Sequence, residues 1–180
     1  MRFDWRASAS RTRLSDAVSC TLPRILFGGF QDKTPFDPAN PDYDLFNGTW
    51  AYDFNHNRWK NLKPANPPPP RAYTTMGFEP ATNRVVLFGG ILDPTKWPNE
   101  PTNNDTWIYD VARNRWSQVF PEDSPSPRAW HAMAGTNGPV VLFGGGDSRW
   151  NYTNDTFLYD SRSNRWEKVS TERNDDRLHP

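Results

Sequence analysis

The chain has 180 residues, of which 21 are basic and 21 acidic, so its formal net charge is zero. This balance argues against a surface for nucleic acid or anionic membranes, and no apolar run approaches membrane-spanning length. Cys20 is the only cysteine, which excludes an internal disulfide and a cysteine-based zinc site.

The N-terminal 20 residues carry four arginines but lack the apolar segment of a secretory signal. Together with the single cysteine, this favours a cytoplasmic location. Nine tryptophans, 18 prolines and 11 glycines indicate many short strands packed through aromatic rings.

Three blocks then repeat one pattern at intervals of roughly 50 residues. An apolar strand ends in a glycine doublet, an aromatic-rich strand ends in Tyr-Asp, and a tryptophan follows six residues after that aspartate. The apolar strands are 25–29, 86–90 and 141–145, the aromatic strands are 49–53, 106–110 and 156–160, and the tryptophans are Trp59, Trp116 and Trp166.

The second block shows how each block is expected to fold. The continuous apolar run 85–88 is typical of a strand buried on both faces. The polar segment 79–84 predicts one hairpin and 110–116 another, with Asn114 suited to a left-handed turn. Each block is therefore predicted to form a small antiparallel sheet.

With these motifs, the sequence resembles the kelch-repeat family of the galactose oxidase central-domain-like superfamily, over roughly residues 13–170. The resemblance implies an all-β fold, a kelch-type β-propeller of about three four-stranded antiparallel blades. The expected blades are 13–62, 63–119 and 120–170. Residues 1–12 are interpreted as a partial strand of a preceding blade or a tail, and residues 171–180 as a tail or the start of a next blade.

Three blades are fewer than the four to eight with which propellers close. An incomplete or open propeller is therefore expected. The chain is either a piece of a larger propeller or one half of a homodimer, and self-association is a possible consequence.

The glycine doublets are expected to adopt positive φ or to let a neighbouring ring approach the bare backbone. We expect the blade Trp and Tyr residues to pack against them. This interpretation makes Trp59, Trp116 and Trp166 structural.

If the strands of a blade are labelled a to d from the axis outwards, the b–c connections 30–48, 91–105 and 146–155 lie on one face. They vary in length and carry aromatic and charged residues, which suits binding of a protein or peptide partner. Carbohydrate binding through Trp97 and Trp150 is one alternative. The other is a purely structural role, in which the rings only pack the long loops onto the blades. The candidate binding residues are Phe36, Tyr43, Trp97, Asp147, Arg149, Trp150 and Tyr152.

Arg71 and Arg128 each follow a proline-rich linker and open an inner strand. They form either a cluster of guanidinium groups at the central channel or, as we favour, structural pairs with an aspartate of a neighbouring blade.

Catalytic chemistry is sparse. The three histidines are not spaced as metal ligands, and neither a catalytic triad nor a phosphate loop is recognisable. The copper oxidases of the same superfamily need a cysteine-linked tyrosine, for which Cys20 is the only candidate. We therefore expect no cofactor, no metal and no enzymatic activity, with a fragment of such an oxidase as a remaining alternative.

Overall fold

The computed structural model describes residues 24–32, 43–93 and 102–170. Within these ranges the chain forms strands β1 to β13 and no helix. The strands make four antiparallel sheets, which do not close into a ring. The predicted all-β, kelch-type architecture is confirmed.

The first blade is a three-stranded sheet in the described region, in the order β1-β4-β5. Its strands are β1 (Arg24–Phe27), β4 (Thr49–Asp53) and β5 (Arg58–Asn61). The predicted innermost strand of this blade would precede residue 24 and falls outside the described residues.

The connection between β1 and β4 contains a small two-stranded ribbon, which the sequence analysis treated as a loop. The ribbon pairs β2 (Phe30–Asp32) with β3 (Tyr43–Leu45). Its strands are only three residues long, too short to show a clear alternation of apolar and polar residues.

The second and third blades are four-stranded, as predicted. The strands of blade 2 are β6 (Thr75–Glu79), β7 (Arg84–Gly90), β8 (Asn103–Asp110) and β9 (Arg115–Val119). Those of blade 3 are β10 (Ala132–Ala134), β11 (Val140–Phe143), β12 (Thr156–Asp160) and β13 (Arg165–Val169).

The outer hairpin of each blade has the same construction. In blade 2, Tyr109 lies directly across the sheet from Trp116, and Asn114 adopts φ 49° in the turn between them. The Tyr109 hydroxyl donates to Asn114 Oδ1 at 2.7 Å. Asn57 and Asn164 have nearly the same φ values, so the predicted left-handed turn is confirmed in all three blades.

The apolar residues of neighbouring blades meet in two separate cores. Between blades 1 and 2 the core contains Phe27, Val85, Leu87, Tyr109 and Trp116. Between blades 2 and 3 it contains Val86, Phe88, Ile108, Met133, Val140, Leu142, Phe157, Tyr159 and Trp166. Because Val85 and Leu87 point to one core and Val86 to the other, blade 2 is buried on both faces, which is the packing of radially stacked sheets.

The glycine doublets adopt positive φ, as predicted, but their neighbours are not the expected rings. Gly89 has φ 61°, and a Cβ added there would lie 2.5 Å from the carbonyl oxygen of Arg128 and 2.9 Å from that of Asn103. The expected packing of blade Trp and Tyr rings on these glycines is wrong at this position. Backbone carbonyls of the adjoining linker and strand occupy the space instead.

Candidate binding surface

The first two b–c connections each begin beside the linker that enters the following blade. The amide of Gly29 donates to the Arg71 carbonyl at 3.1 Å, and the amide of Gly90 donates to the Arg128 carbonyl at 3.0 Å. These bonds bring the b–c connections and the start of each inner strand to one face of the arc.

Arg71 is a buried structural arginine at this face. Its side chain is fully buried, and its two terminal nitrogens donate to the two carboxylate oxygens of Asp105 at 2.6 and 2.9 Å. It also donates to the Gly89 carbonyl at 3.0 Å. The predicted structural pair is confirmed, but the predicted neighbour is wrong, because Asp105 belongs to blade 2, whose inner strand Arg71 itself introduces.

Arg128 repeats this arrangement in blade 3. It donates to Asp155 at 2.6 Å and to the Gly144 carbonyl at 2.9 Å. Burial of Asp155 opposes ionisation. Hydrogen bonds from Arg128 and Thr153, together with the charges of Arg128 and Lys168, outweigh it and hold the pKa of Asp155 below its usual value. Both arginines therefore fix the path of the chain at the start of an inner strand.

Two residues after each buried arginine comes an exposed or half-buried ring with an unusual backbone conformation. Tyr73 and Trp130 both have φ 56°, in the left-handed region that bulky residues rarely adopt. The Trp130 amide donates to the Tyr73 carbonyl at 3.1 Å, which ties the two inner strands together. The conformation turns both rings toward the face that carries the b–c connections.

Five rings from three blades form a continuous row across this face, the aromatic ladder. Successive ring centroids lie 5.3, 5.3, 5.6 and 6.1 Å apart. Trp130 and Trp150 are stacked, with an interplanar angle of 10°. The ladder consists, in spatial order, of Phe30, Tyr73, Trp130, Trp150 and Tyr152.

The loop 146–155 presents the end of the ladder. The Asp147 carboxylate accepts hydrogen bonds from the amides of Arg149 and Asn151 at 2.9 and 3.0 Å and from the Asn151 side chain at 2.9 Å. The Asn151 bonds, above all, lower the pKa of Asp147. Asp147 thus shapes the turn in which Trp150, at φ 63°, projects outward and is 54% exposed.

A cleft of about 350 Å³ adjoins the same loop. The linker residues Ser126 and Pro127 form part of its wall, and Arg149 and Asn151 form another part. The cleft therefore offers amide, hydroxyl and guanidinium groups close to an exposed aromatic edge.

The structure describes five of the seven sequence-predicted binding residues. Asp147, Arg149, Trp150 and Tyr152 lie together in one loop. Tyr43 is in β3, where only its backbone is described, and Phe36 and Trp97 lie outside the described residues.

Sequence reasoning missed Phe30, Tyr73 and Trp130 as members of this surface. A signal existed for two of them, because the triplets Arg71-Ala72-Tyr73 and Arg128-Ala129-Trp130 place a ring at the same repeat position.

His131, which directly precedes the inner strand β10, is a packed residue and not a candidate metal ligand. It is 3% exposed, and its ring meets the Phe88 ring edge-on at 5.6 Å. Burial, assisted by the nearby Arg128 charge, lowers its pKa to about 3, so the imidazole is neutral near pH 7.

Across residues 24–32, 43–93 and 102–170, no group of three His, Cys, Asp or Glu side chains is arranged to hold a metal ion. Cys20 and His179 lie outside these ranges. The same part of the chain includes no helix with the length and hydrophobicity needed to span a bilayer.

Comparison with known proteins agrees with this architecture. Residues 10–177 match the family model described as the KLHDC2/KLHL20/DRC7 Kelch-repeats domain. The chain is 27% identical over 133 residues to the dynein alpha chain of the flagellar outer arm from Chlamydomonas reinhardtii, which covers 67% of this chain and 2% of that protein. It is 28% identical over 140 residues to beta-scruin from Limulus polyphemus, covering 74% of this chain and 14% of that protein.

The chain thus corresponds to a small part of these longer relatives, whereas the family model spans nearly all of it. This protein belongs to the kelch-repeat domain family.

Proposed function

We propose that the chain is a protein-interaction module that binds an extended peptide segment of its partner along the aromatic ladder. Kelch-repeat domains generally serve as non-enzymatic scaffolds, so the proposal concerns the surface and the ligand. The observation that carries it is the alignment of five rings, contributed by three blades, on the face that also holds the variable connections.

The backbone conformation of the ladder supports a functional role. A non-glycine residue in the left-handed region costs about 1–3 kcal/mol, and such strain is concentrated at binding and catalytic sites. Tyr73, Trp130 and Trp150 all adopt it. A ring needed only for packing could be supplied from an ordinary strand position, as Trp116 is.

The exposure of the rings suits a protein surface. Trp150 and Tyr152 are 54% and 63% exposed, and Tyr73 is 36% exposed. Tryptophan and tyrosine are enriched among the residues that dominate binding energy at protein interfaces. Arg149 and the cleft beside the loop 146–155 supply polar groups at the edge, the arrangement of an apolar centre with a polar rim.

A peptide fits the ladder better than a sugar does. A pyranose ring stacks on the open face of an aromatic ring, whereas Trp150 lies between the stacked Trp130 ring and the tilted Tyr152 ring. A row of tilted and stacked rings instead resembles the aromatic-lined grooves that hold extended, proline-rich peptides. Carbohydrate binding through Trp97 and Trp150 is therefore the competing result that the test below would reveal.

The test is a selection from a phage-displayed random peptide library on the wild-type chain, followed by fluorescence-polarisation titration of the selected peptides. Trp130→Ala and Trp150→Ala are each expected to weaken peptide binding about tenfold or more. The matched control is Phe120→Ala, which removes a ring that is 79% exposed and outside the ladder, and it should leave binding unchanged.

Two results would contradict the proposal. One is selected peptides that bind the Trp130→Ala and Trp150→Ala variants as tightly as they bind wild type. The other is a chain that selects no peptide but binds oligosaccharides on a glycan array in a Trp150-dependent manner.

A further inference from the structure

The two interfaces between neighbouring blades follow one rule of hydrogen bonding. Trp116 of blade 2 donates its indole N–H to the Thr49 hydroxyl of blade 1 at 3.0 Å. Trp166 of blade 3 donates to the Thr106 hydroxyl of blade 2 at 3.1 Å. Each interface therefore pairs the outer-strand tryptophan of one blade with the repeated threonine in strand c of the blade before it.

The aromatic contacts follow the same rule. Phe27 meets Trp116 with centroids 5.2 Å apart and an interplanar angle of 63°. Phe88 meets Trp166 at 5.2 Å and 69°. Every blade accordingly has two different faces. The tryptophan face carries the Tyr–Trp pair, and the phenylalanine face carries the phenylalanine and the threonine.

At the two ends of the described arc, the corresponding rings are exposed. Trp116 and Trp166 are fully buried, but Trp59 of blade 1 is 49% exposed. Phe27 and Phe88 are 7% and 0% exposed. Phe143, at the same repeat position in blade 3, is 53% exposed.

These exposed faces complement each other. Trp59 lies opposite Tyr52, just as Trp116 lies opposite Tyr109. At the other end, Phe143 lies opposite Thr156 in the register that joins Phe88 to Thr106 in blade 2. Blade 1 thus presents an exposed tryptophan face, and blade 3 presents an exposed phenylalanine face. Inside the arc, faces of these two kinds contact each other.

We propose that the phenylalanine face of blade 3 in one copy of the chain docks on the tryptophan face of blade 1 in a second copy. The Trp59 indole then donates to the Thr156 hydroxyl of the other copy, and the Phe143 ring packs edge-on against Trp59. Two copies related by a two-fold axis make this contact twice. They bring together about six blades, within the range of four to eight at which propellers close.

A second copy is favoured as the occupant because the chain itself supplies both halves of the contact at matching register. The zero net charge adds no overall repulsion between copies. One difference between the repeats makes the proposed contact more polar than the two contacts inside the arc. Arg24 stands where Val85 and Val140 are buried, and its guanidinium lies 4.4 Å from the centroid of the Phe54 ring. A contact surface that includes a charged side chain suits a reversible association.

The experiment is sedimentation velocity of the purified chain over a range of micromolar concentrations, with variants that place a charge in one face at a time. Wild type should sediment as a dimer. Trp59→Glu and Phe143→Glu should each be monomeric, with unchanged circular dichroism, because both positions are half exposed. The control Phe120→Glu, in the connection between blades 2 and 3, should remain dimeric.

Mixing the two charged variants separates this contact from other dimers. A mixed pair has one intact contact, between the phenylalanine face of the Trp59→Glu chain and the tryptophan face of the Phe143→Glu chain. Dimer should therefore reappear in the mixture, although neither variant dimerises alone. A monomeric wild type, a Phe143→Glu chain that still dimerises, or a mixture that stays monomeric would each overturn the proposal.

Discussion

The indole of Trp116 and the hydroxyl of Thr49 are joined by a buried 3.0 Å hydrogen bond across two blades, although 67 residues separate them in sequence. This contact links a repeated ring to the repeated threonine of the preceding blade. It explains why both recur in every block, and it makes the stability of one blade depend on its neighbour.

Replacing Thr49 with valine should destabilise the fold. Thr49→Val keeps the shape of the side chain but leaves the buried indole N–H of Trp116 without an acceptor, which costs about 1–3 kcal/mol. Urea denaturation monitored by tryptophan fluorescence measures the loss. The matched control is Thr156→Val at the same register, which in dilute solution should change the free energy of unfolding by less than about 0.5 kcal/mol.

Removing the buried guanidinium of Arg128 should be more damaging. Arg128→Met leaves Asp155, which is 15% exposed, with the Lys168 ammonium 3.8 Å away as its remaining charged partner. Removing one partner of a buried ion pair costs up to about 3–5 kcal/mol. Arg165 provides the comparison, because its 3.3 Å ion pair with Asp123 is exposed on both sides. Arg165→Met should cost less than about 1 kcal/mol. Equal losses in thermal denaturation would contradict the role given to Arg128.

A methyl group at Gly89 should distort the junction of blades 2 and 3. Gly89→Ala combines φ 61° with a Cβ placed 2.5 Å from the Arg128 carbonyl oxygen, so a destabilisation of at least about 2 kcal/mol is expected. Gly138→Ala is the control, because the nearest atom to its added Cβ is 3.8 Å away. A Gly89→Ala chain as stable as the Gly138→Ala chain would show that the junction tolerates a side chain.

The burial of His131 predicts a dependence of stability on pH. Its pKa is lowered to about 3 from 6.5, so the unfolded chain takes up this proton before the folded chain does. The free energy of unfolding should therefore fall as the pH decreases from about 6.5 toward 3, by up to about 1.4 kcal/mol per pH unit.

The window above pH 4.5 isolates this effect, because the carboxylates with lowered pKa, such as Asp155, lose their contribution only at lower pH. His131→Leu should flatten the dependence between pH 6.5 and 4.5, whatever its effect at pH 7. An unchanged slope in that variant would mean that another group titrates.

The repeat made much of the fold predictable from sequence. The glycine doublet, the Tyr-Asp strand and the trailing tryptophan are local patterns, and the Asn114 turn needs only local chemistry. The structural role of Arg71 was also predictable, because the residue recurs in register with Arg128. Its partner Asp105 was not, since the partner of a buried charge depends on how strands far apart in sequence come together.

The binding surface was predicted only in part. Trp150 and Tyr152 lie in a loop of variable length, which drew attention to them. Tyr73 and Trp130 stand at the start of a repeated strand, and their outward placement depends on a left-handed conformation that no propensity indicates for bulky rings. The ladder also needs the blades to be stacked before its rings meet, so a single block does not reveal it.

The most direct measurement of the central claim is an NMR titration of the indole N–H resonances of the chain with a peptide selected from the library. Binding along the aromatic ladder should shift the Trp130 and Trp150 indole signals. The buried Trp116 and Trp166 signals should stay in place, because their N–H groups remain bonded to Thr49 and Thr106. Shifts confined to other tryptophans, with Trp130 and Trp150 unchanged at saturating peptide, would contradict the account.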